Sequence, residues 1–217
     1  MLKAVFFDMG GTIDFYRQTR EFRQSQAYLI RDCLKRGGIG LPWSDEQLVD
    51  ALGSGIACYY EWNSDSNIEL SPAEVWSRFI LNGLNITPEA LAPIAEELAL
   101  INETRMYMRE MRPEMPQVLE QIKELGLKIG IISNTQSQYQ VPTNLKEYGI
   151  FDYFDPIVLS SEYGRRKPDP AIFYTAARLA NVPTGACVFV GDVISKDVLG
   201  ANRAGFRLAI QIINPYA

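Results

Sequence analysis

The sequence predicts an α/β protein: a doubly wound parallel sheet, Rossmann-like in its winding, interrupted by an inserted helical block. Three observations carry that prediction. Short apolar runs recur along the chain, and most end in polar residues or glycine. After Pro113 these runs alternate with helix-like segments, the pattern of strands buried on both faces of a parallel sheet. Between the first run and the rest lie about 90 residues that read as helix, with no apolar run of strand type.

Taken in order, Ala4 to Phe7 is a buried strand that stops at Asp8 and the tight loop Gly10-Gly11-Thr12. From about Asp14 to Met108 the chain reads as helices. Arg20 to Arg36 is amphipathic and is closed by Gly37-Gly38. Ser44-Asp45-Glu46-Gln47 and Ser71-Pro72-Ala73-Glu74 are capping boxes, the second with proline at the first helical position. Thr87-Pro88-Glu89 opens a last helix, expected to run towards Met108 with Pro93 in its first turns. Glu114 to Leu125 is then a helix stopped by Gly126, and Lys128 to Ile132 a strand ending in Ser133-Asn134-Thr135. A helix closing at Tyr148 follows, then the strand Ile157 to Leu159 and the helix Ala171 to Ala180. The strand Cys187 to Val190 ends in Gly191-Asp192; a helix from Ser195 to Ala204 and the strand Arg207 to Ile210 complete the body. The first strand is too short to stand alone and is expected to pair with the later ones. The predicted organisation is a discontinuous core, residues 1–14 and 109–217, around a helical insertion, residues 15–108.

Composition narrows the chemistry. Of 217 residues, 47% are hydrophobic and 22% charged, enough apolar material for a core. The net charge of −5 argues against a nucleic-acid or anionic-membrane partner, since both need a concentrated basic face. The chain has no histidine, which excludes Ser-His and Cys-His nucleophile pairs, a histidine base and histidine-ligated zinc. Cys33, Cys58 and Cys187 form no CxxC pair and suit buried free thiols in a reducing compartment. The apolar run before Asp8 is too short for a signal peptide core, so the cytoplasm is the expected location.

In a doubly wound sheet, ligands bind at the carboxyl ends of the strands. The polar residues of this chain fall at such ends: Asp8, Ser133-Asn134, and Asp192 with Asp197 five positions on. Lys167 lies in the loop Gly164-Arg165-Arg166-Lys167-Pro168-Asp169-Pro170, just before a helix. Three carboxylates, a hydroxyl and an ammonium converging on one site suit an oxygen-ligated cation such as Mg²⁺ beside a phosphate-like anion.

The order and spacing of these pieces resemble the haloacid dehalogenase superfamily of hydrolases. Asp8-Met9-Gly10-Gly11-Thr12 resembles its first motif, Ser133 after Ile131-Ile132 its second, Lys167 in Lys167-Pro168-Asp169-Pro170 its third, and Gly191-Asp192 with Asp197 its fourth. The insertion resembles the family's helical cap of the first type. The resemblance implies a Mg²⁺-dependent phosphatase acting on a small phosphorylated molecule through an aspartyl-phosphate intermediate. In that scheme Asp8 is the nucleophile. Asp8, Asp192 and the backbone carbonyl of Gly10 hold Mg²⁺. Ser133 bonds a phosphate oxygen, and Lys167 places positive charge beside Asp8 and the transferring group. Asp197 orients the metal's waters or Lys167. Thr12 and Asn134 are the candidate substrate contacts, with loop backbone the alternative partner for Thr12 and orientation of the nucleophile loop the alternative for Asn134.

One position departs from the pattern. The family's phosphatases carry an aspartate two residues after the nucleophile, which protonates the leaving oxygen; here that residue is Gly10. Positioned acid–base catalysis is worth about 10²–10⁴-fold. The departure is met by substrates whose leaving group needs no proton, by another acid (Asp14, Glu61 or Asp65), or by weak or absent phosphatase activity. A metal-independent 2-haloacid dehalogenase and a non-catalytic phosphometabolite-binding module are the alternatives. If Gly10 accounts for weak phosphatase activity, Gly10→Asp is expected to raise alkyl phosphate hydrolysis about tenfold or more.

Overall fold

The computed structural model describes residues 1–215. The chain divides into two compact units. One comprises Met1–Tyr16, Arg109–Thr135 and the chain from Val141 onwards; the other comprises Arg17–Met108 and Gln136–Gln140.

The first unit is built on five parallel strands: β1 (Ala4–Phe7), β4 (Lys128–Ser133), β5 (Ile157–Leu159), β6 (Cys187–Gly191) and β7 (Leu208–Gln211). Their order is β5-β4-β1-β6-β7. The chain therefore winds outward through β4 and β5, then crosses back past β1 to β6 and β7. That reversal makes the end of β1 a topological switch point, where ligands bind in such sheets. Side chains alternate across the strand. Ala4 and Phe6 of β1 pack on one side with Ile132, Phe173, Phe189 and Ala201, and Val5 and Phe7 on the other with Leu119, Ile131, Val141 and Leu145. With both faces covered, these strands carry no polar alternation, which is why they read as continuous apolar runs. The helices α6 (Met115–Glu124), α7 (Gln140–Glu147), α8 (Ser160–Tyr163), α9 (Pro170–Leu179) and α10 (Leu199–Arg203) connect them.

The second unit is helical: α1 (Arg20–Arg36), α2 (Asp45–Trp62), α3 (Pro72–Val75), α4 (Pro88–Leu91) and α5 (Ala95–Arg105). The predicted caps form. The Thr19 hydroxyl accepts from the Phe22 N–H, and the boxes at Ser44 and Ser71 are closed in both directions. Its core gathers Ile30 and Leu34 from α1, Leu48 and Leu52 from α2, Trp76, Ile80 and Leu98. Tyr59 is fully buried in this core, and its hydroxyl donates to Glu69 at 2.6 Å.

Three local expectations need correction. The helix opened at Pro88 does not run to Met108: it stops at Leu91 and restarts at Ala95, because Pro93 cannot donate to the ladder. The insertion is not wholly helical at its ends, since β2 (Asp14–Arg17) and β3 (Met108–Met111) pair as a two-stranded ribbon. Each contributes only four residues, too few for a period to show in the sequence. Lastly, Gln136–Gln140 groups with the helical unit rather than the sheet. The Glu103 carboxylate of α5 accepts from the Gln136 and Ser137 N–H groups at 3.0 and 2.9 Å, and the Ser137 hydroxyl donates to Glu96. Among the described residues no helix is long and apolar enough to cross a membrane.

Candidate active site

Strand register brings the polar strand ends to one rim of the sheet unit. Phe7 lies level with Ile131 and with Val190. Asp8 therefore leaves the central strand between its two neighbours, with Ser133 and Asp192 each one residue further along. The Asp8 N–H still donates to the Val190 carbonyl at 2.9 Å, which ties the start of the loop to β6.

The loop beyond Asp8 is shaped by Gly11. Its φ of +83° lies in the left-handed region, and a Cβ there would come within 2.1 Å of Asp192 Oδ2. Gly191 serves a second close approach: a Cβ on it would meet Asp197 Cβ and Cγ at 2.5 Å. Both glycines thus let carboxylates press against backbone.

Lys167 is the centre of the charge arrangement. Its ammonium bonds Asp8 Oδ1 at 2.7 Å and Asp197 Oδ1 at 2.7 Å, and its side chain is only 2% exposed. Burial alone would drain the ammonium's charge, but Asp197 and Asp8 outweigh it and hold its pKa above the ordinary lysine value. Burial raises Asp8 to about 6; Lys167 opposes this, and the charges of Asp197 and Asp192 reinforce it. Asp192 is also raised, first by burial and then by Asp197.

Asp8, Asp192 and Asp197 each present a carboxylate oxygen within 4.8 Å of the others, so three acidic groups could hold a metal ion. They are not equivalent. Asp197 is committed at both oxygens, to Lys167 and, at 2.9 Å, to the Val193 N–H. Asp192 Oδ1 is buried with no hydrogen-bond partner among the described residues, an expensive state for a carboxylate. Three hard oxygen donors with an orphaned atom among them fit an oxygen-ligated divalent cation.

The remaining predicted residues are located as follows. Asn134 clamps the Lys167 backbone at two points: its Nδ2 donates to the Lys167 carbonyl at 3.1 Å, and its Oδ1 accepts the Lys167 N–H at 2.8 Å. That geometry positions the lysine. Ser133 is buried at the last position of β4. Thr12 is also buried, and its hydroxyl has no partner among the described residues, so it is not tied to loop backbone. Gly10 lies on the loop two residues beyond Asp8. Asp14 is not a free acid: both its oxygens receive Arg109 Nη1, at 3.1 and 2.8 Å, and the Tyr148 hydroxyl donates to Oδ2 at 2.8 Å. Glu61 and Asp65 are exposed residues of the helical unit.

Four contributors were not legible as site residues. Arg112 Nη2 donates to the Gly11 carbonyl at 2.9 Å and to the Ile213 carbonyl at 2.7 Å, bracing the loop from beneath. Asn214 Nδ2 approaches Asp192 Oδ2 at 3.4 Å. Arg166, beside Lys167, is buried. Lys196 has its pKa lowered by burial and then by the charges of Arg166 and Lys167. The run Arg165-Arg166-Lys167 was the only available signal for Arg166; for Arg112, alone among loop residues, there was none.

A doubly wound sheet with a lysine-paired aspartate at its switch point, beside a carboxylate cluster, marks an α/β enzyme. The chain belongs to the haloacid dehalogenase-like hydrolase family, which it matches over residues 2–205, and it is a hydrolase. It is 29% identical over 205 residues to the glyceraldehyde 3-phosphate phosphatase of Methanopyrus kandleri, covering 94% of this chain and 82% of that one. Among solved structures it is similar to a haloacid dehalogenase-type phosphatase from Thermococcus onnurineus, with a TM-score of 0.62, 24% identity and coverage of 100% and 88%. A 2-haloacid dehalogenase from Pseudomonas syringae gives a TM-score of 0.61 at 24% identity, with coverage of 96% and 85%. These two scores are so close that the fold does not choose between phosphate ester and haloacid.

Proposed function

We propose that the protein is a Mg²⁺-dependent phosphatase of small phosphorylated metabolites, working through an aspartyl-phosphate on Asp8. The observation that carries this reading is the Lys167 ammonium, bonded at once to Asp8 and Asp197 beside the orphaned Asp192 oxygen. A nucleophile for an uncharged haloacid carbon needs no cation site; a carboxylate attacking a phosphate dianion does, because the two repel. The name of the Methanopyrus relative supports a small phosphate monoester as the substrate class.

Asp8 and Asp192, with the Gly10 carbonyl, would hold the ion, which when bound neutralises charge on the phosphoryl oxygens. Lys167 orients Asp8 through Oδ1, leaving the carboxylate's other oxygen to attack phosphorus. Asp197 fixes the lysine and is itself held by the Val193 N–H. Asn134 sets the lysine's backbone. The Ser133 and Thr12 hydroxyls supply hydrogen bonds to phosphoryl oxygens. The helical unit, residues 17–108 with Gln136–Gln140, would supply the substrate selection expected of a cap.

The test is turnover of a panel of phosphate monoesters with and without Mg²⁺. Asp8→Asn is expected to lower kcat by 10⁴-fold or more, on the order of losses on removing a nucleophile. Chelation should abolish wild-type turnover and added Mg²⁺ restore it. Metal-independent halide release from 2-haloacids would favour the dehalogenase reading instead. Ligand-dependent stabilisation without any turnover would favour the binding module.

A further inference from the structure

The helical unit buries a cation that none of its acids answers. Arg23 of α1 is only 7% exposed, and its Nε is buried with no hydrogen-bond partner among the described residues. Burial lowers its pKa, and the group that opposes this is a phenol, Tyr107, not a carboxylate. The Tyr107 ring centroid lies 6.0 Å from the guanidinium carbon, at the outer edge of cation–π range. The exposed arginines of the same helix are treated differently. Arg20 pairs with Glu46 and Asp50, Arg31 with Asp45, and Arg36 with Glu97. Carboxylates thus meet the arginines that water could serve, while the arginine withdrawn from water has none. A guanidinium carries five N–H donors, and a buried charge left without a counter-charge is costly.

One side of that guanidinium opens outward. Gly53 is an exposed residue inside α2, and its φ is not left-handed. A Cβ there would have a single neighbour within 4 Å, Arg23 Nη1 at 3.8 Å, which is ordinary contact. Neither backbone nor crowding calls for glycine at this position, and glycine weakens a helix interior. Gly55 is different: a Cβ on it would come within 2.7 Å of Ile80 Cα, so close packing requires it. At residue 53 the missing side chain leaves Nη1 uncovered. We propose that Arg23 is the floor of an anion-binding site in the helical unit, entered over Gly53, which takes the carboxylate or phosphate group of a small molecule. The planar fork of a guanidinium matches the oxygens of either group. The ligand supplies the negative charge that the surrounding helices withhold. Arg23, Gly53 and Tyr107 all belong to the helical unit, so the site does not depend on the reading of Asp8.

The experiment follows the Arg23 Nε–H resonance of the ¹⁵N-labelled full chain by NMR, assigned by its loss in Arg23→Met. Inorganic phosphate and succinate are titrated separately, with sodium chloride at matched ionic strength as the control. A saturable shift of that resonance at about millimolar anion is expected, with none from chloride. A response to phosphate alone assigns the site to phosphate groups, to succinate alone to carboxylates, and to both to oxyanions in general. Gly53→Leu lays a side chain over Nη1 and leaves Arg23 in place. It is expected to weaken the binding about tenfold or more, the scale of one lost charge-assisted hydrogen bond. An Arg23 resonance that neither anion moves up to about 20 mM overturns the proposal. So does an undiminished response in folded Gly53→Leu, verified by thermal melting, because the anion would then be acting from elsewhere.

Discussion

Asp8 and Asp14 are six residues apart, both buried, both raised in pKa chiefly by burial, and both paired with a long cation. Their surroundings differ in charge balance. Asp14 meets one guanidinium and one phenol, so the cluster is neutral and every carboxylate oxygen has a partner. Asp8 shares a single ammonium with Asp197, and Asp192 adds a third carboxylate with an unpartnered oxygen. Burying an ion pair is costly unless its charges and lone pairs are satisfied. The balanced cluster is a brace. The other cluster leaves one buried carboxylate oxygen of Asp192 without a hydrogen-bond partner among the described residues, the donor a cation would meet.

Three experiments would break or sharpen that contrast. The largest effect is expected at Asp192. Asp192→Asn should lower kcat/KM by about 100-fold or more and remove the rise in Tm that Mg²⁺ gives the wild type. Titration of Tm against Mg²⁺ checks both clusters, because variants of the Asp14 cluster should keep the metal response. Next comes Asp14→Asn, which strands Arg109 with half its pairing. It should destabilise the fold by about 3 kcal/mol in urea denaturation, towards the lower end for a broken buried pair because Arg109 retains some exposure. A loss under 0.5 kcal/mol would mean that the cluster braces nothing.

The last effect, no larger than that of Asp14→Asn, is a pH dependence. Burial raises the Asp8 carboxyl from 3.8 to about 6, so the folded protein holds this proton more tightly than the unfolded chain. Between roughly pH 4 and 6 the unfolded state releases it first. With metal chelated, the contribution of Asp8 is therefore fully present at lower pH and is lost as pH rises through 6. Denaturation in chelator at the two ends of that window should differ between wild type and Asp8→Asn by up to about 3 kcal/mol. Mg²⁺ should erase the slope, and a slope of opposite sign would show that Lys167 dominates Asp8.

Much of the sheet unit was legible because a strand buried on both faces writes itself as an unbroken apolar run. Asp8, Ser133, Lys167 and Asp192 could be singled out because each follows such a run or a punctuated loop. The two-stranded ribbon was invisible, since four residues such as Met108-Arg109-Glu110-Met111 carry no period. Arg109 and Arg112 were missed for a related reason. Their importance lies in what they touch at 95 and 101 residues' remove, and no local pattern encodes a long-range bond to a carboxylate or carbonyl. Asp14 was a plausible acid on spacing alone; only its partners disqualify it.

The guanidinium of Arg112 joins the Gly11 carbonyl, three residues after the nucleophile, to the carbonyl of Ile213, far along the chain. The loop that carries Asp8 and the segment after β7 thus share one anchor, and opening of either is expected to strain the other. Amide exchange around residues 212–214 becomes a remote gauge of how firmly the reactive carboxylate is seated, readable without any substrate in the tube.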